Sequence, residues 1–259
     1  MNPSIWELET FYRKREIIII GSGFTGLWTA ISIKDKHPEK SVLIVERHPI
    51  PTGASTRNAG FACFGSLTEI ISDSEKMGWE KTLDLVKMRF KGLQKIQNYF
   101  ANDEIDFELC GGYEILNDES ALEKLDEVNQ HLFPITKTEN TFRIVNEKIK
   151  EFELGESEFL VENLCEGSLH SGKLLMKLVE KCHELKVEFL CGTEVESFSE
   201  TENEIEIKIN ENLILKSEKV IFCTNTFSSK FLEYEEIIPA RGQIILTEPI
   251  ENLKLKGTF

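Results

Sequence analysis

Glu16-Ile17-Ile18-Ile19-Ile20-Gly21-Ser22-Gly23-Phe24-Thr25-Gly26-Leu27-Trp28-Thr29-Ala30-Ile31-Ser32-Ile33, followed after a short polar break by Ser41-Val42-Leu43-Ile44-Val45-Glu46, decides the fold. Four consecutive isoleucines suit a strand buried on both faces. The glycine pattern follows at once, and Leu27 to Ile33 has the composition of a packed helix. A second apolar strand then ends on an acid, Glu46, twenty residues after Gly26. That is the whole βαβ context of a dinucleotide fingerprint, which an incidental cluster of glycines lacks. Gly21 permits the tight turn, and Gly23 lets backbone N–H groups near Ser22, Phe24 and Thr25 approach a pyrophosphate at the helix N-terminus. Gly26 lets helix and strand pack closely. Glu46 is placed to accept hydrogen bonds from a ribose. The element reads as a binding site for an ADP moiety.

At 259 residues the chain is long enough for one large domain or two small ones. Hydrophobic residues at 41% and charged residues at 29% are ordinary for a globular protein. A net charge of −15 argues against a nucleic-acid or anionic-membrane partner. Six cysteines (Cys63, Cys110, Cys165, Cys182, Cys191 and Cys223) are scattered without a C-x-x-C pair, which fits free thiols in a reducing compartment and no metal site. Arg13-Lys14-Arg15 before an uncharged run from Ile17 to Ile33 imitates a signal anchor, but the run is short for a span and interrupted by glycines. The expected location is the cytoplasm, with no membrane span.

Before the first strand, Trp6, Leu8, Phe11 and Tyr12 suggest a short amphipathic helix. After Glu46, the stretch Arg47-His48-Pro49-Ile50-Pro51-Thr52-Gly53-Ala54-Ser55-Thr56-Arg57-Asn58-Ala59-Gly60-Phe61 is a proline-broken loop. Its small residues Gly53 and Ala54 admit a ligand close to the backbone. The fingerprint, the pair Glu46-Arg47 and the run Gly53 to Gly60 together resemble the FAD-dependent amine and amino-acid oxidoreductases. These are the superfamily of D-amino acid oxidase, glycine oxidase and sarcosine oxidase, and the γ-glutamylputrescine oxidase branch looks nearest. The resemblance implies FAD as cofactor, with Ser55, Arg57, Asn58 and Gly60 as contacts from the second loop. Some relatives attach flavin through a histidine there; Arg57-Asn58 stand in that region here, so no such linkage is expected.

Leu83, Val86, Phe90, Leu93, Ile96 and Phe100 recur at helix spacing from Ser74 to about Phe100, more in keeping with core packing than with a roof on a substrate cavity. Phe107 to Leu116 reads as two β segments about the Gly111-Gly112 turn, Glu119 to Leu132 as a charged amphipathic helix, and Thr141 to Phe152 as short strands. Gly167 to Leu174 returns the chain to the nucleotide domain. Ser171 is a candidate N-cap for a helix from Lys173 to Leu185, and His170 suits a structural histidine better than a general base. Val187 to Cys191 is a third strand, and a β meander runs from Thr193 to Leu215. By the resemblance, the backbone at Val195 would meet the adenine. Lys219 to Cys223 is a buried strand with Thr224 and Asn225 at its C-terminal end, where ligands sit in doubly wound sheets; both are candidate FAD contacts. Arg241, in the crossing back to the substrate sheet, has two readings, a carboxylate clamp or a tie for the loop.

The expected fold is α/β: a Rossmann-type FAD/NAD(P)-binding domain over 1–75 and 160–232, with an inserted, incomplete antiparallel α+β substrate domain over 76–159 and 233–259. Relatives in the resembling family continue beyond the point matching Phe259, so the expectation is a shortened product or a chain completed by a partner or by another copy of itself. The function implied by the resemblance is oxidation of a C–N bond of a small-molecule amine or amino acid. Hydride would pass to flavin N5, and the imine would then hydrolyse. No catalytic residue is assigned. One alternative is a flavin-binding module inactive without a partner. The other is an NAD(P)-dependent dehydrogenase, for which Glu46 suits a ribose diol but the Gly53 to Gly60 loop has no role.

Overall fold

The computed structural model describes residues 3–210, 213–232, 237, 238, 240, 242–245 and 247–259, with Asn210 described by its backbone alone. In chain order the helices are α1 (Ile5–Glu9), α2 (Phe24–Lys36), α3 (Leu67–Met77), α4 (Trp79–Tyr99), α5 (Asn102–Ile105), α6 (Leu125–Thr136), α7 (Glu147–Glu151) and α8 (Ser171–Glu184). The strands are β1 (Arg15–Ile20), β2 (Val42–Val45), β3 (Phe61–Ala62), β4 (Gly112–Leu116), β5 (Phe142–Ile144), β6 (Phe159–Asn163), β7 (Gly167–Ser168), β8 (Glu188–Leu190), β9 (Ser197–Glu200), β10 (Ile205–Asn210) and β11 (Leu213–Phe222). The chain divides into two compact units, one of residues 1–58 and 174–244 and one of residues 59–173 and 245–259. Residues 59–75 and 160–173, grouped from sequence with the nucleotide domain, are thus part of the second unit.

The first unit is built on a six-stranded sheet in the order β8-β2-β1-β11-β10-β9. β8, β2, β1 and the C-terminal half of β11 run parallel. The isoleucine run works on both faces, as its composition requires. Ile18 and Ile20 join Leu43, Val45, Val195, Ile207, Ile209, Leu213 and Leu215 in one apolar cluster. Ile19 and Ile44 are equally buried and point to the opposite face, since side chains alternate along a strand. Helix α2 presents Leu27, Ala30 and Ile31 at the i, i+3, i+4 spacing of one buried stripe. It stops at His37, ahead of Pro38, and Lys34 closes its C-terminal end by donating to the Lys40 carbonyl at 2.9 Å. β11 changes partners at Ser217. Before it the strand pairs antiparallel with β10, and from it onward parallel with β1. At the foot of β1, the buried Arg15 guanidinium pairs with Glu188 of β8 and donates to the Thr10 carbonyl at 2.9 Å.

The second unit holds a three-stranded antiparallel sheet, β4-β6-β5, and the small pair β3-β7. On one face Leu116, Phe142 and Val161 pack with Leu67, Ile70, Val86, Val128 and Leu132 of α3, α4 and α6. On the other, Tyr113 and Leu160 pack with Val145 and Phe152. The carboxyl group of Glu166 is buried, its Oε1 accepting N–H bonds from Phe64 at 2.8 Å and Gly65 at 3.2 Å. Burial pushes its pKa up to about 7 against the opposing pull of those two donors.

Several elements differ from those expected. The helix expected from Ser74 is two helices: α3 begins at Leu67, and Gly78, at φ +83°, turns the chain into α4. The segments flanking Gly111-Gly112 do not form a hairpin. Gly111 sits at φ +82°, Glu108 bridges to Ser168, and β4 finds its partner in β6. Of Thr141 to Phe152 only β5 is a strand; the rest turns into α7. Helix α1 forms with a Ser4–Glu7 capping box, yet none of its residues is buried and Trp6 is 74% exposed. Helix α8 starts at Ser171 itself, and its cap is His170, whose Nδ1 accepts the Lys173 N–H at 3.2 Å. Arg241 lies outside the described residues.

Candidate nucleotide-binding site

The fingerprint turn is closed by contacts that admit no side chain. Gly21 lies at φ +104°, and a Cβ there would stand 2.5 Å from the Cys223 carbonyl oxygen. A Cβ on Gly26 would lie 2.0 Å from the Gly21 carbonyl oxygen, so helix α2 and the turn touch backbone to backbone. Between them Ser22 is fully buried and donates both its N–H (3.0 Å) and its hydroxyl (2.8 Å) to Glu46 Oε2. Glu46 Oε1 accepts the His48 N–H at 3.1 Å. The acid ending β2 is therefore fixed beside the turn, and a carboxylate has room for further donors beyond these.

Gly23 is the N-cap of α2 and makes no side-chain capping bond. The Phe24 N–H is taken instead by Ser55 Oγ at 2.9 Å, which ties the second loop to the helix N-terminus. The loop itself is a single 3₁₀ turn, Ala54–Thr56, braced by Asn58 Nδ2 donating to the Ser55 carbonyl at 2.9 Å and the Ala54 carbonyl at 3.2 Å.

These elements enclose one wall of a cavity of about 670 Å³, which lies wholly within the first unit. Among the expected site residues, Gly21, Gly23, Phe24, Thr25, Glu46, Arg47, Ala54, Ser55, Asn58, Val195, Thr224 and Asn225 line it. Ser22 and Gly26 do not; they act from behind, one holding Glu46 and the other closing the helix onto the turn. Arg57 is an exposed residue off the lining, and its N–H returns to the Ala54 carbonyl at 3.2 Å. Gly60 belongs to the second unit, at φ +74°, with its carbonyl accepting the Leu169 N–H at 2.8 Å.

The sequence reading missed Glu194, Phe227, Lys230 and Phe231, which also line the cavity. Phe227 lies beneath the Arg47 guanidinium, whose Cζ is 4.0 Å from the ring centroid. Lys230 donates to Glu194 Oε1 at 2.8 Å and to the Val195 carbonyl at 3.1 Å. Their signal was available in part, because the polar run after β11 lies where the strand-end rule looks for ligand contacts.

The cavity's volume is in the range of small-molecule sites, and its donor set is that of a dinucleotide cradle: a helix N-terminus at Gly23 to Thr25 for phosphate, and a fixed carboxylate for a diol. The residues present fit the ADP half of FAD. Among the described residues, no group of three or more His, Cys, Asp or Glu side chains could hold a metal ion, and no helix is long and apolar enough to cross a membrane. All six cysteines are free.

Comparison with known proteins agrees with that fit. The chain is 26% identical over 245 residues to the probable oxidoreductase OrdL of Haemophilus influenzae, covering 91% of this chain and 56% of that protein. It is 22% identical over 251 residues to the L-saccharopine oxidase of Schizosaccharomyces pombe, covering 88% of this chain and 54% of that protein. The chain thus spans about half the length of the curated relatives it matches. The crystal structure of glycine oxidase from Geobacillus kaustophilus superimposes with a TM-score of 0.63 at 14% identity, over 84% of this chain and 57% of that one, and shares the fold. The family model described as FAD dependent oxidoreductase matches residues 16–258, nearly the whole sequence. This chain is a member of the FAD-dependent oxidoreductase family of D-amino acid oxidase type, and its cofactor is FAD.

Proposed function

We propose that the cavity of the first unit holds FAD and that the protein oxidises a C–N bond of an amine or amino acid. The observation that carries the cofactor half is the bonded cluster Ser22–Glu46 and Phe24–Ser55, which draws the glycine turn, the end of β2 and the second loop into one lining. The N–H groups of Gly23 and Thr25, which line the cavity at the N-terminus of α2, would receive the pyrophosphate, Glu46 the ribose diol, and Val195 with Arg47 the adenine end. Ala54, Ser55, Asn58, Thr224 and Asn225 would follow the cofactor toward its reacting end. When bound, FAD supplies a two-electron acceptor for the hydride on the carbon next to nitrogen; the resulting imine hydrolyses with water. The amine or amino-acid substrate class is supported by relatives whose names are glycine oxidase and L-saccharopine oxidase. No side chain is assigned a proton-transfer role.

The visible spectrum of the purified protein, the cofactor released on denaturation, and oxygen uptake or dye reduction with a panel of amines and amino acids test the two halves separately. The expected result is flavin bands, released FAD, and turnover of at least one amine. A protein that carries FAD but reduces neither oxygen nor dye with any of them would overturn the substrate half and leave the cofactor half standing.

A further inference from the structure

One wall of the cavity is held at a few points, with only Phe231 at its end packed against the apolar cluster of the sheet. It comes from the 3₁₀ segment Asn225–Lys230 after β11, none of whose residues is buried. Asn225 starts it in a left-handed conformation, φ +51°, which sets the segment off from the strand. Phe227 meets Arg47 from the end of β2, and Lys230 meets Glu194 and Val195 from the connection between β8 and β9. Phe231, next in the chain, lies 5.1 Å from the Phe222 ring. The peptide group that Lys230 holds is tied at both ends, because the Glu196 N–H donates to the Lys208 carbonyl at 2.8 Å. The Glu194 carboxyl is held below the usual range by its hydrogen bond to Lys230 and then by that lysine's charge. Arg47, Glu194, Val195, Phe227 and Lys230 all line the same cavity.

We propose that Lys230 is a positioning residue for the nucleotide end of the cofactor: by gripping Glu194 and the Val195 carbonyl, it latches the 225–231 segment as a closing wall and slows the escape of the bound nucleotide. The inference rests on the reading that this cavity takes FAD. An ammonium with three donors and a flexible stem suits such a grip, since it can serve a carboxylate and a carbonyl together. The stack of Arg47 on Phe227 holds the middle of the segment while Lys230 holds its end.

The test is the rate of FAD release from the loaded protein, followed by recovery of flavin fluorescence, in wild type, Lys230→Met, Lys230→Arg and Glu194→Gln. Glu194→Gln alters an exposed carboxylate and carries little risk to folding. Release is expected about three- to fivefold faster in Lys230→Met, the scale of a solvent-exposed ion pair with one further carbonyl contact, with a smaller gain in Glu194→Gln and partial rescue in Lys230→Arg. ADP affinity should fall with FAD affinity, while FMN, which lacks the adenosine, should be held equally by all four proteins. Wild-type release rates in both Lys230→Met and Glu194→Gln would overturn the latch while leaving FAD binding intact. A wild-type protein that takes up neither FAD nor ADP would overturn the cofactor reading and the latch with it.

Discussion

The glycines of this chain differ sharply in what they are for. Gly26 admits no side chain, since a Cβ would lie 2.0 Å from the Gly21 carbonyl oxygen, whereas Gly53 has no atom within 4 Å of its Cβ position. Gly26→Ala should destabilise the protein by about 3 kcal/mol, the upper range for forcing a methyl into a packed site. Gly53→Ala should change stability by less than about 0.5 kcal/mol. Paired thermal unfolding of the two variants measures the contrast; equal melting temperatures would mean that the backbone contact at Gly26 contributes little. Both glycines look alike as letters in two glycine-bearing stretches. What separates them is distance to a backbone oxygen, which spacing within the G-x-G-x-x-G pattern reports and loop composition does not. The same limit applies to Arg57, whose letter suggests a ligand contact and which is an exposed residue off the cavity lining.

At the scale of the element, the best-read parts were those in which period and burial agree. β1, α2 and β2 followed from Ile17 to Ile20, Leu27 to Ile31 and Val42 to Val45, because Ile18 to Ile20, the Leu27-Ala30-Ile31 stripe and Val42 to Val45 are buried as their pattern demands. The second unit was read less well. There, strands three to five residues long pair across long gaps, Gly112 with Asn163 and Phe142 with Asn163, and short apolar runs do not announce their partners. Glu166, just before β7, was invisible for the same reason: only the fold buries it beside the Phe64 and Gly65 N–H groups. Its pKa of about 7 lies above the ordinary carboxyl value of 4.5, so between those values the folded state holds a proton that the unfolded state has lost. Its contribution to stability is fully present below about pH 4.5 and is lost as pH rises through 7. Glu166→Gln keeps a carbonyl acceptor without the charge. It should flatten the stability curve between pH 4.5 and 7 and gain about 2–3 kcal/mol over wild type at pH 8. Denaturant unfolding at a series of pH values checks this, and parallel curves for the two proteins would contradict it.

For the molecule as a whole, the βαβ fingerprint and the loop after Glu46 carried the fold and the cofactor, and the family match over residues 16–258 removes the NAD(P) dehydrogenase alternative in favour of FAD. The walls supplied by Phe227 and Lys230 were out of reach because they meet Arg47 and Glu194 only in the folded chain. Because FAD would bind the folded state alone, a hundredfold excess over its dissociation constant should stabilise the protein by about 2.7 kcal/mol. Thermal unfolding with increasing FAD reads this as a melting temperature that climbs with concentration, and a constant one would contradict it. The change of partner at Ser217 has a consequence for the timing of synthesis. β1 pairs locally with β2, but its other edge is completed only by β11, where Arg15 meets Ser217 and Ile20 meets Phe222. A ribosome adding roughly 5–20 residues per second needs on the order of 10–40 s to cover the ~200 residues between them. For that interval the nascent isoleucine run carries one unpaired edge, the kind of surface on which chaperones act and neighbouring nascent chains stick.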